Sequence, residues 1–204
     1  MTIYIGDVHG KYSQYKAIIR THPNTIQVGD MGIGFRKYPH GNYQTNPPYD
    51  EMVKTGARFI RGNHDSPEAC RRHTQWICDG YVENDTMFIG GGYSIDWQYR
   101  IEGFSWWKDE QLNQDQMNTL IDVYLAAKPR VMVTHECPTT AALAIPHSHH
   151  WNDRSRTEQF LQSLWELHKP ELWVHGHHHV SVDHVIEGTR FVCLAELEVK
   201  ELPS

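Results

Sequence analysis

The stretch Leu172–His179, LWVHGHHH, joins a short apolar run to four histidines within five positions. The apolar part is β-branched or aromatic and of strand length, and the run ends in glycine-bearing polar sequence. The tract lies inside the chain, with more strand-like sequence after it, so it is not a terminal tag. The chain has 15 histidines in 204 residues. Imidazole is the commonest protein metal ligand, yet most surface histidines bind nothing. The meaning of the tract therefore depends on the rest of the chain.

The same pattern recurs upstream. TIYIGDVHG (2–10), TIQVGDMG (25–32), ARFIRGNHD (57–65) and RVMVTHECP (130–138) are each a strand-like run that stops in a polar tail. Segments of helical period lie between several of them. They are Tyr12 to Arg20, Asn113 to Ala127 (Met117, Leu120, Ile121, Tyr124) and Arg154 to His168 (Phe160, Leu161, Leu164, Leu167). Pro129 and Pro170 help to end the last two. Strands alternating with helices predict an α/β layered domain. In such folds sites collect where loops leave the C-terminal ends of strands, and all five tails lie there. Val180 to Val199 reads as two or three strands, VSVDHVI, a turn at Glu187–Gly188–Thr189, and then RFVCLAELEV, extending a second sheet. Segments 35–50 and 137–153 read as long loops of the lid or binding type.

The length suits one domain over residues 1–204. No apolar run approaches the ~20 residues of a membrane helix, so no membrane partner is expected. The start, MTIYIGDVHG, lacks a basic stretch followed by an apolar one, and a cytoplasmic location is expected. A net charge of −6 gives no general attraction for nucleic acid. Positive charge for a phosphate-bearing substrate must therefore be local. Cys70, Cys78, Cys137 and Cys193 form no CxxC pair and read as reduced thiols. Cys137, two residues after His135, reads as an ordinary thiol rather than a ligand.

The five tails offer Asp7, His9, Asp30, Asn63, His64, Asp65, His135, His177 and His179. Asp7 and His9 are two apart, as are His177 and His179, so extended backbone points each pair one way and His178 another. Singly, Asp7, Asp30 and Asp65 fit helix caps or turns, and Asn63 fits a turn. Together, the donors exceed the needs of one ion. They suit two divalent cations sharing a carboxylate, manganese first, with iron, zinc, nickel or cobalt also accommodated. His175 reads as a strand residue or a support behind the ligands. His147, His149 and His150 read as loop surface, and His22, His40, His73, His168 and His184 as ordinary.

GDVHG, GD, GNHD, TH and GHHH, in this order from residue 6 to residue 179, resemble the motifs of the calcineurin-like metallophosphoesterase superfamily. The stretch GGGYSIDWQYRIEGFSWWKDEQ (90–111) is similar to that of small bacterial and phage members. The resemblance implies a four-layer sandwich of two mixed β-sheets flanked by α-helices. It implies a dinuclear phosphoester hydrolase in which metal-activated hydroxide attacks phosphorus. By motif position, Asp7, His9 and His179 would hold the first cation, Asn63, His135 and His177 the second, and Asp30 would bridge them. His64 would protonate the leaving alkoxide or stabilise charge on phosphorus, and Asp65 would hold the His64 imidazole.

The chain departs from the Ser/Thr protein phosphatase branch after Asp30. GDMGIGF replaces GDxVDRG, so that branch's phosphate-clamping arginine is missing. Arg36 and Lys37 are the nearest substitutes, and Arg61 sits where a strand residue would be. A diester needs less positive surface than a monoester dianion. The expectation is therefore phosphodiester hydrolysis on a small or nucleotide-type substrate, with a phosphomonoester or phosphoprotein second. A non-catalytic metal-binding scaffold is the alternative of another class. Trp106 and Trp107 read as packing residues rather than as stacking partners for a nucleobase.

Overall fold

In the computed structural model, residues 1–36, 46–146 and 155–203 are described. Alternation along short strands sets the architecture. In β6 (Val131–Thr134) and β7 (Leu172–His175), Val131, Val133, Leu172 and Val174 share one apolar cluster, while Met132 and Trp173 join another on the opposite face. A strand buried on both faces reads as a continuous apolar run, which these two are.

One sheet has the order β10-β1-β2-β3, with β1 Thr2–Ile5, β2 Ile26–Gln27, β3 Arg58–Phe59 and β10 Val199–Leu202. β1, β2 and β3 are parallel, and β10 runs antiparallel to β1. The other sheet has the order β4-β5-β6-β7-β9-β8, with β4 Val82–Glu83, β5 Thr86–Ile89, β8 Val182–Ile186 and β9 Thr189–Cys193. β5, β6, β7 and β9 are parallel, and β4 and β8 are antiparallel edges. Both sheets are thus mixed. Tyr4, Val28 and Ile60 of the first meet Phe88, Val133, Val174 and Val192 of the second between them.

Helices cover the outer faces. α1 (Tyr12–Thr21) and α2 (Tyr49–Thr55) bury Tyr15, Ile19 and Met52 against Ile5 and Phe59. α3 is the short Pro67–Cys70 turn. α4 (Gln114–Ala127), α5 (Thr139–Leu143) and α6 (Arg156–Leu167) bury Leu120, Tyr124, Ala142, Leu161 and Leu164 against Met132, Trp173 and Phe191. Asn113 and Gln116 close a reciprocal capping box on α4, and Ser155 caps α6. The result is the expected four-layer sandwich, helix–sheet–sheet–helix.

Three readings change. The 180–199 region supplies β8 and β9 to the second sheet, but the chain turns at Leu197 (φ 55°) and β10 joins the first sheet beside β1. The β4–β5 hairpin was not anticipated. It turns on Asn84 and Asp85, both with positive φ, the geometry of a tight two-residue hairpin. The two long loops are partly helical, since α2 begins at Tyr49 and α5 occupies 139–143. Residues 37–45 and 147–154, with Lys37, His40, His147, His149 and His150, lie outside the described residues. Among the described residues, no helix is long and apolar enough to cross a membrane.

Candidate metal centre

Asp7 and His9 follow β1, Asp30 follows β2, Asn63 and His64 follow β3, His135 follows β6, and His177 and His179 follow β7. These are the C-terminal ends of parallel strands in both sheets, and the tips meet where the sheets face each other. Backbone bonds tie the tips together: Val8 and His9 donate to the Asp30 carbonyl (3.0 and 2.8 Å), and Gly176 donates to the His135 carbonyl (3.1 Å). Close approach explains two motif glycines. A Cβ at Gly62 would collide with the Asp30 carboxylate, and one at Gly176 with the Asp7 carboxylate. His9, Asp30, His177 and His179 adopt left-handed backbone, uncommon for non-glycine residues and typical of functional sites.

The donors fall into two sets. In one, His9 Nε2 is 2.8 Å from His179 Nε2, and His179 Nε2 is 3.1 Å from Asp7 Oδ2. In the other, Asn63 Oδ1 is 3.0 Å from His135 Nε2 and 3.1 Å from His177 Nδ1, and those two nitrogens are 3.2 Å apart. Asp30 lies between: Oδ1 is 3.3 Å from His135 Nε2, and Oδ2 is 3.7 Å from His9 Nε2. Asp7, Asp30 and His135 are buried, whereas His179 is half-exposed, so the cluster opens to solvent on one side.

Neighbouring groups aim the donors. His135 Nδ1 donates to the Val28 carbonyl (2.9 Å), which leaves Nε2 for a cation. Asn63 Nδ2 donates to Ser94 Oγ (3.1 Å), turning Oδ1 inward, and Ser94 is held by Glu110 at 2.6 Å and 2.9 Å. Burial pushes Glu110 up to about 7. His177 Nε2 is 3.6 Å from Glu136 Oε1. Burial pushes Glu136 up to about 8, while a bond from Ser155 opposes this.

The charges are strongly coupled. Burial alone would raise Asp7 and Asp30, but neighbouring imidazoles more than offset it and hold both carboxyls below the ordinary range. Burial favours neutral His135, yet Asp30 and Asp7 push it up to about 10. His177 is driven down to about 3 by burial and by His135. Oxygen and imidazole donors converging on two points fit divalent cations. The set is consistent with a dinuclear divalent-metal site, as in a metal-dependent hydrolase.

The surroundings of His64 differ from expectation. Asp65 does not hold its ring. The buried Asp65 carboxylate instead accepts backbone N–H bonds from Met31 (3.1 Å), Gly32 (2.7 Å), Ile33 (2.8 Å) and Gly62 (2.8 Å). It therefore clamps the loops that carry Asp30 and Asn63. His64 Nε2 accepts from the Arg100 guanidinium at 2.7 Å, and Phe35 stacks on the ring with centroids 4.8 Å apart. Burial, with the Arg100 charge adding to it against Asp30, lowers His64 to about 4.

Arg100, not Arg36, is the arginine that reaches His64. Arg36 lies instead over the Phe104 ring at 5.9 Å. Arg61 is buried, donating to Asp79 (3.0 Å) and the Glu110 carbonyl (2.6 Å), and braces the segment that holds Asn63. Trp107 is buried near Phe35, and Trp106 packs on Trp97 with centroids 5.3 Å apart. Arg100, Glu110 and Glu136 went unread although each lies in a stretch quoted above, because nothing in their spacing marks them and only the fold brings them to the donors.

Residues 2–181 match the family model described as calcineurin-like phosphoesterase. None of the curated proteins matches the chain. Among solved structures, the chain is similar to TT1561 of Thermus thermophilus at 10% identity and TM-score 0.58, covering 96% of this chain and 90% of that one. It is also similar to a candidate 5′-nucleotidase from Staphylococcus aureus in complex with alpha-ketoglutarate. There the identity is 12% and the TM-score 0.59, over 96% of this chain and 48% of that one. GAP50, the anchor in the inner membrane complex of Plasmodium, gives 12% identity and TM-score 0.51, over 95% of this chain and 71% of that one. At these identities the likeness is one of fold.

Proposed function

The chain belongs to the calcineurin-like phosphoesterase family, and from that premise we propose that it hydrolyses phosphoesters with a pair of divalent cations, phosphodiesters first. The observation that carries this reading is Asp30, whose two oxygens turn towards two separate donor sets. Asp7, His9 and His179 would hold one cation, Asn63, His135 and His177 the other, with Asp30 shared. The donor chemistry suits manganese, and also iron, zinc, nickel or cobalt. Bound there, the cations would lower the pKa of a water and neutralise charge on the phosphoryl oxygens.

The protein's own groups do the rest. Burial and the Arg100 charge favour the neutral His64 imidazole, whose Nε2 accepts from Arg100. An anionic phosphoester would draw the guanidinium onto its oxygens and favour the protonated imidazole. His64 Nε2 would then donate its proton to the departing alkoxide. One guanidinium, paired with Asp96 at 2.7 Å, suits the single charge of a diester, and a small nucleotide-type ester is the favoured substrate. The same guanidinium supports a second reading, hydrolysis of monoesters including phosphoproteins, because it partly replaces the clamp absent after Asp30.

An ester panel with added Mn²⁺ tests the reading. It compares an aryl diester, 2′,3′- and 3′,5′-cyclic nucleotides, a monoester and a phosphoprotein. The diesters should turn over fastest. His64→Ala should keep its metal and lose roughly 10²–10⁴ in rate, whereas Asp30→Ala should lose metal. A chain that binds two cations and cleaves none of these esters would instead be a metal-binding scaffold.

A further inference from the structure

The His tract contains two imidazoles that the proposed pair does not use. His175 ends β7 on the same face as Trp173, the face covered by helices, and its register partner in β9 is Cys193. Cys137, in the loop after β6, belongs to the same helix-side cluster. His178 Nε2 is 3.5 Å from Cys137 Sγ, and its ring meets that of His175 edge-on with centroids 5.8 Å apart. One donor atom from each of Cys137, His175 and His178 lies within 4.8 Å of the others. Cys137 and His175 are buried, and His178 is half-buried. His175 Nε2 is buried without a hydrogen-bond partner, an atom that normally has one.

We propose that Cys137, His175 and His178 form a separate cation site, of zinc type, on the helix side of β7. Its chemistry differs from that of the paired centre. One thiolate and two imidazoles select zinc or a softer ion, whereas carboxylate, amide and imidazole suit manganese. Three protein donors leave a fourth position for water. Cation binding displaces the Cys137 proton to solvent and forms the metal–sulfur bond, with no change of oxidation state.

The site has a structural consequence for the neighbouring centre. It ties the β6 exit, the end of β7 and the following loop to a single ion. His178 lies between His177 (φ 68°) and His179 (φ 56°), both in left-handed backbone. A cation on His178 would hold that loop in the conformation that presents His177 and His179 on the other side. The proposal does not depend on the esterase reading, because its donors and its signal are its own.

Cobalt substitution tests it. The full chain saturated with Co²⁺ should show thiolate-to-cobalt charge-transfer absorption. Cys137→Ser should abolish the band and lose one equivalent of metal. His178→Gln, at a half-buried position, should weaken binding at the same site. Asp30→Ala, which removes the proposed shared carboxylate, should retain the band, so failure of the paired centre is separable from failure of this one. A folded, cobalt-saturated wild-type chain without the band would overturn the proposal. So would a band unchanged in both Cys137→Ser and His178→Gln.

Discussion

Replacing Asp65 by asparagine separates two roles for one carboxylate. Its oxygens accept from four backbone N–H groups in a buried place. Asparagine keeps one acceptor and turns an amide NH₂ towards the remaining donors. If the oxygen facing Gly32 and Ile33 is kept, the bonds from Met31 (3.1 Å) and Gly62 (2.8 Å) are lost. Bonds to a charged acceptor contribute about 1.5–3 kcal/mol each, so the gross loss is roughly 3–6 kcal/mol. Burial and the Asp30 charge push the Asp65 carboxyl above its ordinary range, and a neutral amide is spared that cost. The net loss should be about 2–4 kcal/mol. With a urea slope of about 2 kcal/mol per molar, the unfolding midpoint of the metal-free chain should fall by about 1–2 M. Metal affinity should fall with it, because Asp30 and Asn63 sit on the clamped loops. A midpoint within about 0.3 M of wild type, combined with lost turnover, would show that Asp65 acts on His64 and not on the backbone.

Other perturbations probe other parts of the site. Arg100→Met should raise the His64 pKa, followed by NMR titration, since the guanidinium helps hold it at about 4. It should slow monoesters by roughly tenfold to a hundredfold and diesters less; equal losses would remove Arg100 from phosphate recognition. Metal uptake should release protons, because His135 is pushed up to about 10 in the metal-free chain and binds a cation only when neutral. Apparent affinity should therefore fall about tenfold per pH unit as pH drops below that value for each proton displaced, and calorimetry in buffers of different ionisation enthalpy would detect the release or its absence. Gly176→Ala should bring a Cβ onto the Asp7 carboxylate. Elemental analysis should then find less metal on a chain whose circular dichroism is unchanged, and a full complement would contradict the packing argument.

The layers were legible where physics is local. β6 and β7 announce themselves as apolar runs, and their abrupt ends mark where loops leave the sheet. Asn113 and Gln116, which close the cap of α4, begin a predicted helix, and its end at Ala127 agrees. The β4–β5 hairpin was missed because a strand of four residues, TMFI, gives little periodicity before the glycines that follow it. β10 (Val199–Leu202) was not read as a separate strand because RFVCLAELEV looks continuous up to Val199, while the turn at Leu197 depends on which edge is free. The site divides in the same way. Each proposed ligand lies in a recognisable tail, but the partners of His64 and Asn63 lie in the 90–111 stretch, where no spacing marks them. Arg100 reaches His64, and Glu110 reaches Asn63 through Ser94, by tertiary placement. Asp65 was given a plausible partner next door, whereas its carboxylate was needed by backbone donors 32 to 34 residues earlier in the chain.

Anomalous diffraction from crystals grown with Mn²⁺ bears most directly on the central claim. Two peaks about 3.5–4 Å apart, one on each side of the Asp30 carboxylate, are predicted. A single peak, or two peaks that leave Asp30 uncoordinated, would contradict it.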